Sequence, residues 1–266
     1  MSAKRVKFDV DQIERAIKEA VNRAKTHGQN LNSKLITFRL VTNQPWTEKL
    51  IKDKWTQLYP KGDTNFKENK FSLEKIEKAR LMAQKLTKIK WFKMVAVTGS
   101  VAMMSANKDD DIDILVITEN NRLWLARAIG MFWLKVVGID FRRAGEKVVA
   151  DKFCFNMWLD QQNLEIISQK RSVGAALDLI NMKVVTGDKT IFEKLLRKND
   201  WIEAMATPGY RHWLRGTKEG GVVLKKNDLL GAINLVFYWV QRIYMRPKMT
   251  REIVSIKAAY FHPRLI

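Results

Sequence analysis

Two acidic residues separated by one apolar residue, Asp111 and Asp113, lead into the apolar run Ile114-Leu115-Val116-Ile117. A Gly-Ser pair, Gly99 and Ser100, precedes them by ten intervening positions. Side chains alternate across a strand, so Asp111 and Asp113 share a face. Two carboxylates side by side at the edge of a buried strand repel each other and resist desolvation. Such a pair persists best where divalent cations neutralise it. Carboxylate oxygens are hard ligands that suit Mg²⁺, an ion commonly carried with phosphates. Gly99 lets the backbone approach an anion, and the amides opening the next helix, with the Ser100 hydroxyl, supply donors for a phosphate. Together these residues predict metal-dependent phosphoryl chemistry. Asp109 shares the parity of the pair but falls in the preceding turn, and Asp110 is expected to face away.

Positioning these groups requires strand, Gly-Ser turn, short helix, acidic turn and strand in that order. Met94–Thr98 and Ile112–Ile117 read as the two strands. Ahead of them, Ser72 is expected to cap a helix through Leu86 with the stripe Leu73, Ile76, Ala79, Met82, Ala83 and Leu86. Its polar face would carry Lys75, Lys78, Arg80 and Lys85. Arg122–Val137 follows as an amphipathic helix whose Trp124, Phe132 and Trp133 are expected to pack. Lys152–Asp160 alternates, with Phe153, Phe155, Met157 and Leu159 on one face and Cys154, Asn156, Trp158 and Asp160 on the other.

The segment resembles the nucleotidyltransferase signature of the DNA polymerase beta superfamily, Gly-Ser followed by Asp-x-Asp in an apolar strand. The likeness spans about residues 80–170. A closer likeness is to stand-alone bacterial nucleotidyltransferase-like proteins without an assigned substrate. It rests on Val97-Thr98-Gly99-Ser100, Asn107 to Asp113, Asn121-Arg122-Leu123-Trp124, Phe153-Cys154-Phe155-Asn156, Asn199-Asp200-Trp201 and Phe261-His262-Pro263. The resemblance implies an NTP, ATP among the candidates, with its triphosphate on Gly99-Ser100, and two Mg²⁺ (or Mn²⁺) ions on Asp111 and Asp113. It also implies a third carboxylate on a neighbouring strand that assists deprotonation of the acceptor hydroxyl. Asn156 occupies the position expected for that acid and cannot act as a base. Asp160 is the alternative for the third position, and Glu165, at the start of an expected returning strand, a more distant one. A degenerate third position leaves three readings open: a nucleotidyltransferase with an unidentified acceptor, RNA among the candidates; a catalytically weak nucleotide- or RNA-binding protein of the same fold; and one component of a toxin–antitoxin-like pair.

The expected architecture is an α/β (α+β) fold, a small mixed-sheet nucleotidyltransferase core flanked by helices. Residues 1–70 form a basic, mainly helical accessory segment, 71–170 the catalytic core and 171–266 a C-terminal helical region. In the first segment, Val10, Ile13, Ile17 and Val21 mark a helix with Asp9 and Asp11 in cap-like positions. Leu35–Val41 is a short strand or helix, Trp46–Leu58 a helix, and Pro60–Asn65 a linker. Pro208-Gly209 and Gly216–Gly221 mark breaks. Asn227 is expected to cap a helix from Asp228 to about Met245, apolar almost all round and therefore buried.

Net charge is +20, and residues 1–95 hold 22 Lys and Arg against 10 Asp and Glu. A field of that sign attracts polyanions, nucleic acid foremost; a lysine-rich solvated surface is the plainer alternative. The single cysteine excludes an internal disulfide, and no apolar run is long enough to span a bilayer, so a cytoplasmic protein without membrane association is expected. His27, His212 and His262 lack a second ligand at zinc spacing, and Cys154 reads as a small core residue. Walker, nucleophile-elbow and dinucleotide motifs are missing.

Overall fold

The computed structural model describes residues 3–64, 66–143, 145–217, 229–250 and 252–261, with side chains described from residue 11 and not at residue 248. Six strands form one mixed sheet: β1 (Phe92–Val97), β2 (Ile112–Thr118), β3 (Phe153–Asp160), β4 (Lys183–Gly187), β5 (Ile253–Val254) and β6 (Ala258–Tyr260). The spatial order is β4-β1-β2-β3-β6-β5. Only β2 and β3 pair in parallel; the other neighbours are antiparallel.

Alternation along β1 and β2 builds a core on each face. Val95, Val97, Ile112, Ile114 and Val116 point to one side. There they meet helices α3 (Lys70–Leu86), α5 (Leu123–Val136) and α9 (Leu229–Met245). Met94, Ala96, Leu115 and Ile117 point to the other, against α6 (Val173–Asn181), α7 (Lys189–Arg197) and the segment through α8 (Glu203–Leu214). The one-turn helix α4 (Gly99–Ala102) links β1 to the acidic turn. Helices α1 (Ala3–Thr26) and α2 (Glu48–Leu58) close a separate small core, where Ile13, Ile17 and Val21 meet Ile51 and Trp55. Among the described residues no helix is long and apolar enough to cross a membrane.

β3 departs from simple alternation. Asp113 pairs with Cys154 but Leu115 with Met157, so one extra residue is accommodated in β3. This bulge reverses the parity of everything after it. Phe155 and Trp158 therefore join one core, and Met157 and Leu159 the other.

Other local expectations shift for identifiable reasons. Asn69, not Ser72, caps α3: its Oδ1 accepts the Ser72 amide at 2.7 Å, while the Ser72 hydroxyl accepts the Ala106 amide. The buried stripe of α3 is thereby rotated to Ser72, Lys75, Ala79, Met82, Ala83 and Leu86, leaving Leu73 exposed. Asp9 and Asp11 lie inside α1, which starts earlier than its apolar pattern. Ile36–Phe38 is a short 3₁₀ turn. Pro208-Gly209 is no break. The non-helical residue is Ala206, and Pro208 falls in the first regular turn after that kink, where proline is tolerated. The expected Asn227 cap, the break beyond Thr217, and His262 and Pro263 lie outside the described residues.

Two larger corrections concern the C-terminal third. It supplies β4, β5 and β6 to the central sheet, so it is no purely helical region and residue 170 does not bound the core. Helix α9 is also not enclosed: among its residues only Asn234 and Tyr238 are buried. Its neighbour α5 buries Trp124 completely yet exposes Phe132.

Candidate functional site

Strand β1 ends at Val97, and the Thr98 amide donates to the Asp113 carbonyl at 2.9 Å. Gly99 follows with φ +62°, and a Cβ built there would lie 2.4 Å from Asp113 Oδ2. Glycine is required twice over, by the left-handed backbone and by the carboxylate seated against its Cα. The β2 alternation sends Asp113 to the side of Leu115 and Ile117. Asp111, just before the strand, shares that side. Ligand atoms of Asp111, Asp113 and Cys154 all lie within 4.8 Å of one another. Burial, then the Asp113 and Asp111 charges, push the Cys154 thiol well above its usual pKa. The hard donors of the cluster are the two carboxylates, and the thiol is its soft one.

Asn156 stands beside them on β3, with Nδ2 donating to Asp113 Oδ1 at 2.9 Å. Its carbonyl Oδ1 is buried without a hydrogen-bond partner. An orphaned buried oxygen next to two carboxylates suits an oxygen-seeking cation. Asp111 meets a different cation: Arg142, on the loop between α5 and β3, donates Nη1–H to Asp111 Oδ2 at 2.7 Å.

The acidic turn is held from behind. Ser100 Oγ donates to Asp110 Oδ2 at 2.8 Å, and the Asn107 amide donates to the same oxygen at 3.0 Å. Asp110 thus turns back onto the Gly-Ser loop and engages the hydroxyl expected to meet phosphate. Lys75 is 2% exposed; its ammonium donates to the Lys108 and Asp110 carbonyls and to Asp151 Oδ1 at 2.7 Å. Burial raises the Asp151 carboxyl, but the hydrogen bonds from Lys75 and Lys78 outweigh it and hold the group below its usual range. Lys75 therefore fixes the turn that presents Asp111 and does not belong to an exposed basic face.

Asp160 is not brought to the site. It pairs with Thr118 at the far end of β2, five positions and about 16 Å along the strand from the Asp113–Cys154 pair. The bulge also turns it to the opposite face. There it accepts the Asn121 amide at 2.6 Å and the Gln162 amide at 2.8 Å, with burial raising its pKa. Glu165 lies outside any strand and pairs with Arg171.

An acid that strand patterns could not supply comes from α6. Asp178 lies beside Gly99 and faces Asp113; burial first, then the Asp113 charge, push its carboxyl up to about 7. Its signal in the sequence was a lone acid within the apolar stretch Ala175 to Ile180. Arg39, from the accessory segment, reaches the same region. It is 4% exposed, donates Nη2–H to the Met103 carbonyl at 2.9 Å, and buries Nε and Nη1 without partners. Burial brings Arg39 down to about 10, with Asp178 opposing the shift.

Comparison with protein-family models, curated proteins and solved structures finds no match to this chain.

Proposed function

We propose that this protein is a Mg²⁺-dependent nucleotidyltransferase that moves a nucleoside monophosphate from an NTP to an acceptor hydroxyl. The observation that carries this reading is the convergence of Asp111 and Asp113 on one face, against the Cα of Gly99 and beside the orphaned Asn156 Oδ1. Asp111 and Asp113 would hold Mg²⁺, with Asn156 Oδ1 as a neutral oxygen donor. When bound, the metal supplies charge neutralisation for the phosphates and for the attacking oxygen. The chain's own part is positional. Gly99 keeps the loop close to Asp113, Lys75 and Asp110 brace the turn, and Arg142 neutralises Asp111 until that ion pair opens.

The second reading, a nucleotide- or RNA-binding protein with weak or no turnover, is favoured by one specific feature. Asn156, which donates to Asp113 from β3, is an amide and cannot accept an acceptor proton. The acceptor itself is assigned only by charge: the net +20 favours a polyanion such as RNA.

The test is incubation of the protein with each labelled NTP, Mg²⁺ or Mn²⁺, and total cellular RNA, alongside calorimetric titration of Mn²⁺ and NTP. Label transfer that is lost in Asp111→Asn and Asp113→Asn is expected. Mn²⁺-supported NTP binding without transfer selects the second reading. NTP binding unchanged in the double variant removes both.

A further inference from the structure

The outward face of α9 carries Val236, Trp239, Val240 and Ile243, spaced as one helical stripe, and α5 packed beside it adds Phe132 and Val136. Each of the six is between 51% and 69% exposed. Helices α5 and α9 are joined firmly on their inner sides. Asn234 Oδ1 accepts the Trp124 amide at 2.8 Å, and Gln241 Nε2 donates to the Trp124 carbonyl at 2.8 Å. The pair is thus a fixed platform presenting apolar side chains to water. A folded chain seldom leaves such a face bare, because each large apolar group removed from water stabilises the assembly that covers it.

We infer that this face is the interface of a homodimer, with α5 and α9 of one chain packed against those of a second copy. Area supports that occupant. A standard interface takes about 800 Å² from each partner, of which roughly 60%, or about 500 Å², is apolar. Six large side chains of ~150–200 Å², each more than half exposed, offer about 500 Å².

Charge supports it too. From Leu229 to Met245 the only charged residue is Arg242. It donates Nη1–H to the Tyr238 hydroxyl at 2.8 Å, and its guanidinium lies 5.3 Å from the Trp239 ring centroid. On α5 the exposed Lys135 adjoins Val136, so the two helices bring two exposed cations and no acid to this surface. The face lacks the row of lysines and arginines by which an interfacial helix holds an anionic membrane. An apolar face is complementary to itself, and twofold pairing sets it against its own copy. With two exposed cations among six large apolar groups, the contact carries little of the net charge of +20 that holds two chains apart.

The experiment is sedimentation velocity on the full chain from about 1 to 100 µM. A reversible monomer–dimer equilibrium is expected. Screening of the mutual repulsion should tighten it as NaCl rises from about 0.05 to 0.5 M. Val240→Glu and Ile243→Glu, at exposed positions, should leave the thermal unfolding of the monomer unchanged and raise the dimer dissociation constant at least about 30-fold. A chain that remains monomeric at the highest concentration and salt overturns the inference, as does a dimer indifferent to both substitutions. Binding of the monomer to phosphatidylglycerol vesicles that is lost in Val240→Glu would assign the face to a lipid surface and overturn it equally.

Discussion

Asp178→Asn removes the charge that Asp178 would carry beside Asp113 while keeping the shape of the side chain. The amide has nearly the shape of the carboxyl, so the packing beside Gly99 is kept and only the ionisation is removed. In the wild type the carboxyl is raised from 3.8 to about 7, first by burial and then by Asp113. A raised carboxyl binds more protons in the folded than in the unfolded state between those values, so stability falls as pH rises through that window. The penalty is absent below about 3.8 and fully developed above about 7. At 1.36 kcal/mol per unit its ceiling is about 4 kcal/mol. Asp160, also raised by burial, loses stability in the same direction and is common to both proteins, so the difference between them isolates Asp178. Urea unfolding of both proteins in EDTA at intervals between pH 4.5 and 7.5 is the assay. The curves should diverge with pH, Asp178→Asn becoming the more stable by up to that ceiling at neutral pH. Adding Mg²⁺ should narrow the gap by neutralising Asp113. Parallel curves would refute the claim that Asp178 is an ionisable interior group facing Asp113.

Gly99→Ala should abolish Mn²⁺ binding and cost roughly 1–3 kcal/mol of stability, because the methyl meets Asp113 Oδ2 and the backbone is left-handed; calorimetry and thermal melts report both. Lys75→Met should cost about 3 kcal/mol by stranding two carbonyls and Asp151, whereas Lys85→Gln should melt like the wild type. If turnover is limited by the missing acid, Asn156→Asp should raise label transfer and Asp160→Asn should leave it unchanged; the opposite result would return the third position to Asp160. Should the basic surface serve RNA, affinity will fall log-linearly with salt. Charge reversal at Lys85 will then weaken it without regard to sequence, while NTP binding survives; a flat response would mark this lysine as solvated surface.

The Asp111-Ile112-Asp113 pair was legible because parity along a strand is a local property, and Gly99 because its neighbours announced a tight turn before a helix. The first two strands and most helices followed from the same short-range periodicity. The β3 bulge was not legible: one inserted residue leaves hydrophobic spacing plausible on both sides of it, and only pairing with β2 reveals the slip that keeps Asn156 beside Asp113 and sends Asp160 to the other face. Lys75 reads as surface because its charge gives no sign of Asp151, a partner 76 positions away, or of the two turn carbonyls. Asp178 is silent for the same reason, its neighbours Gly99 and Asp113 lying on other elements. Helix α9 shows the converse limit. Its sequence determined that the helix is apolar nearly all round. Whether an apolar face is covered depends on what the rest of the chain packs against it, and among the described residues the fold covers only the side that meets α5 and the sheet.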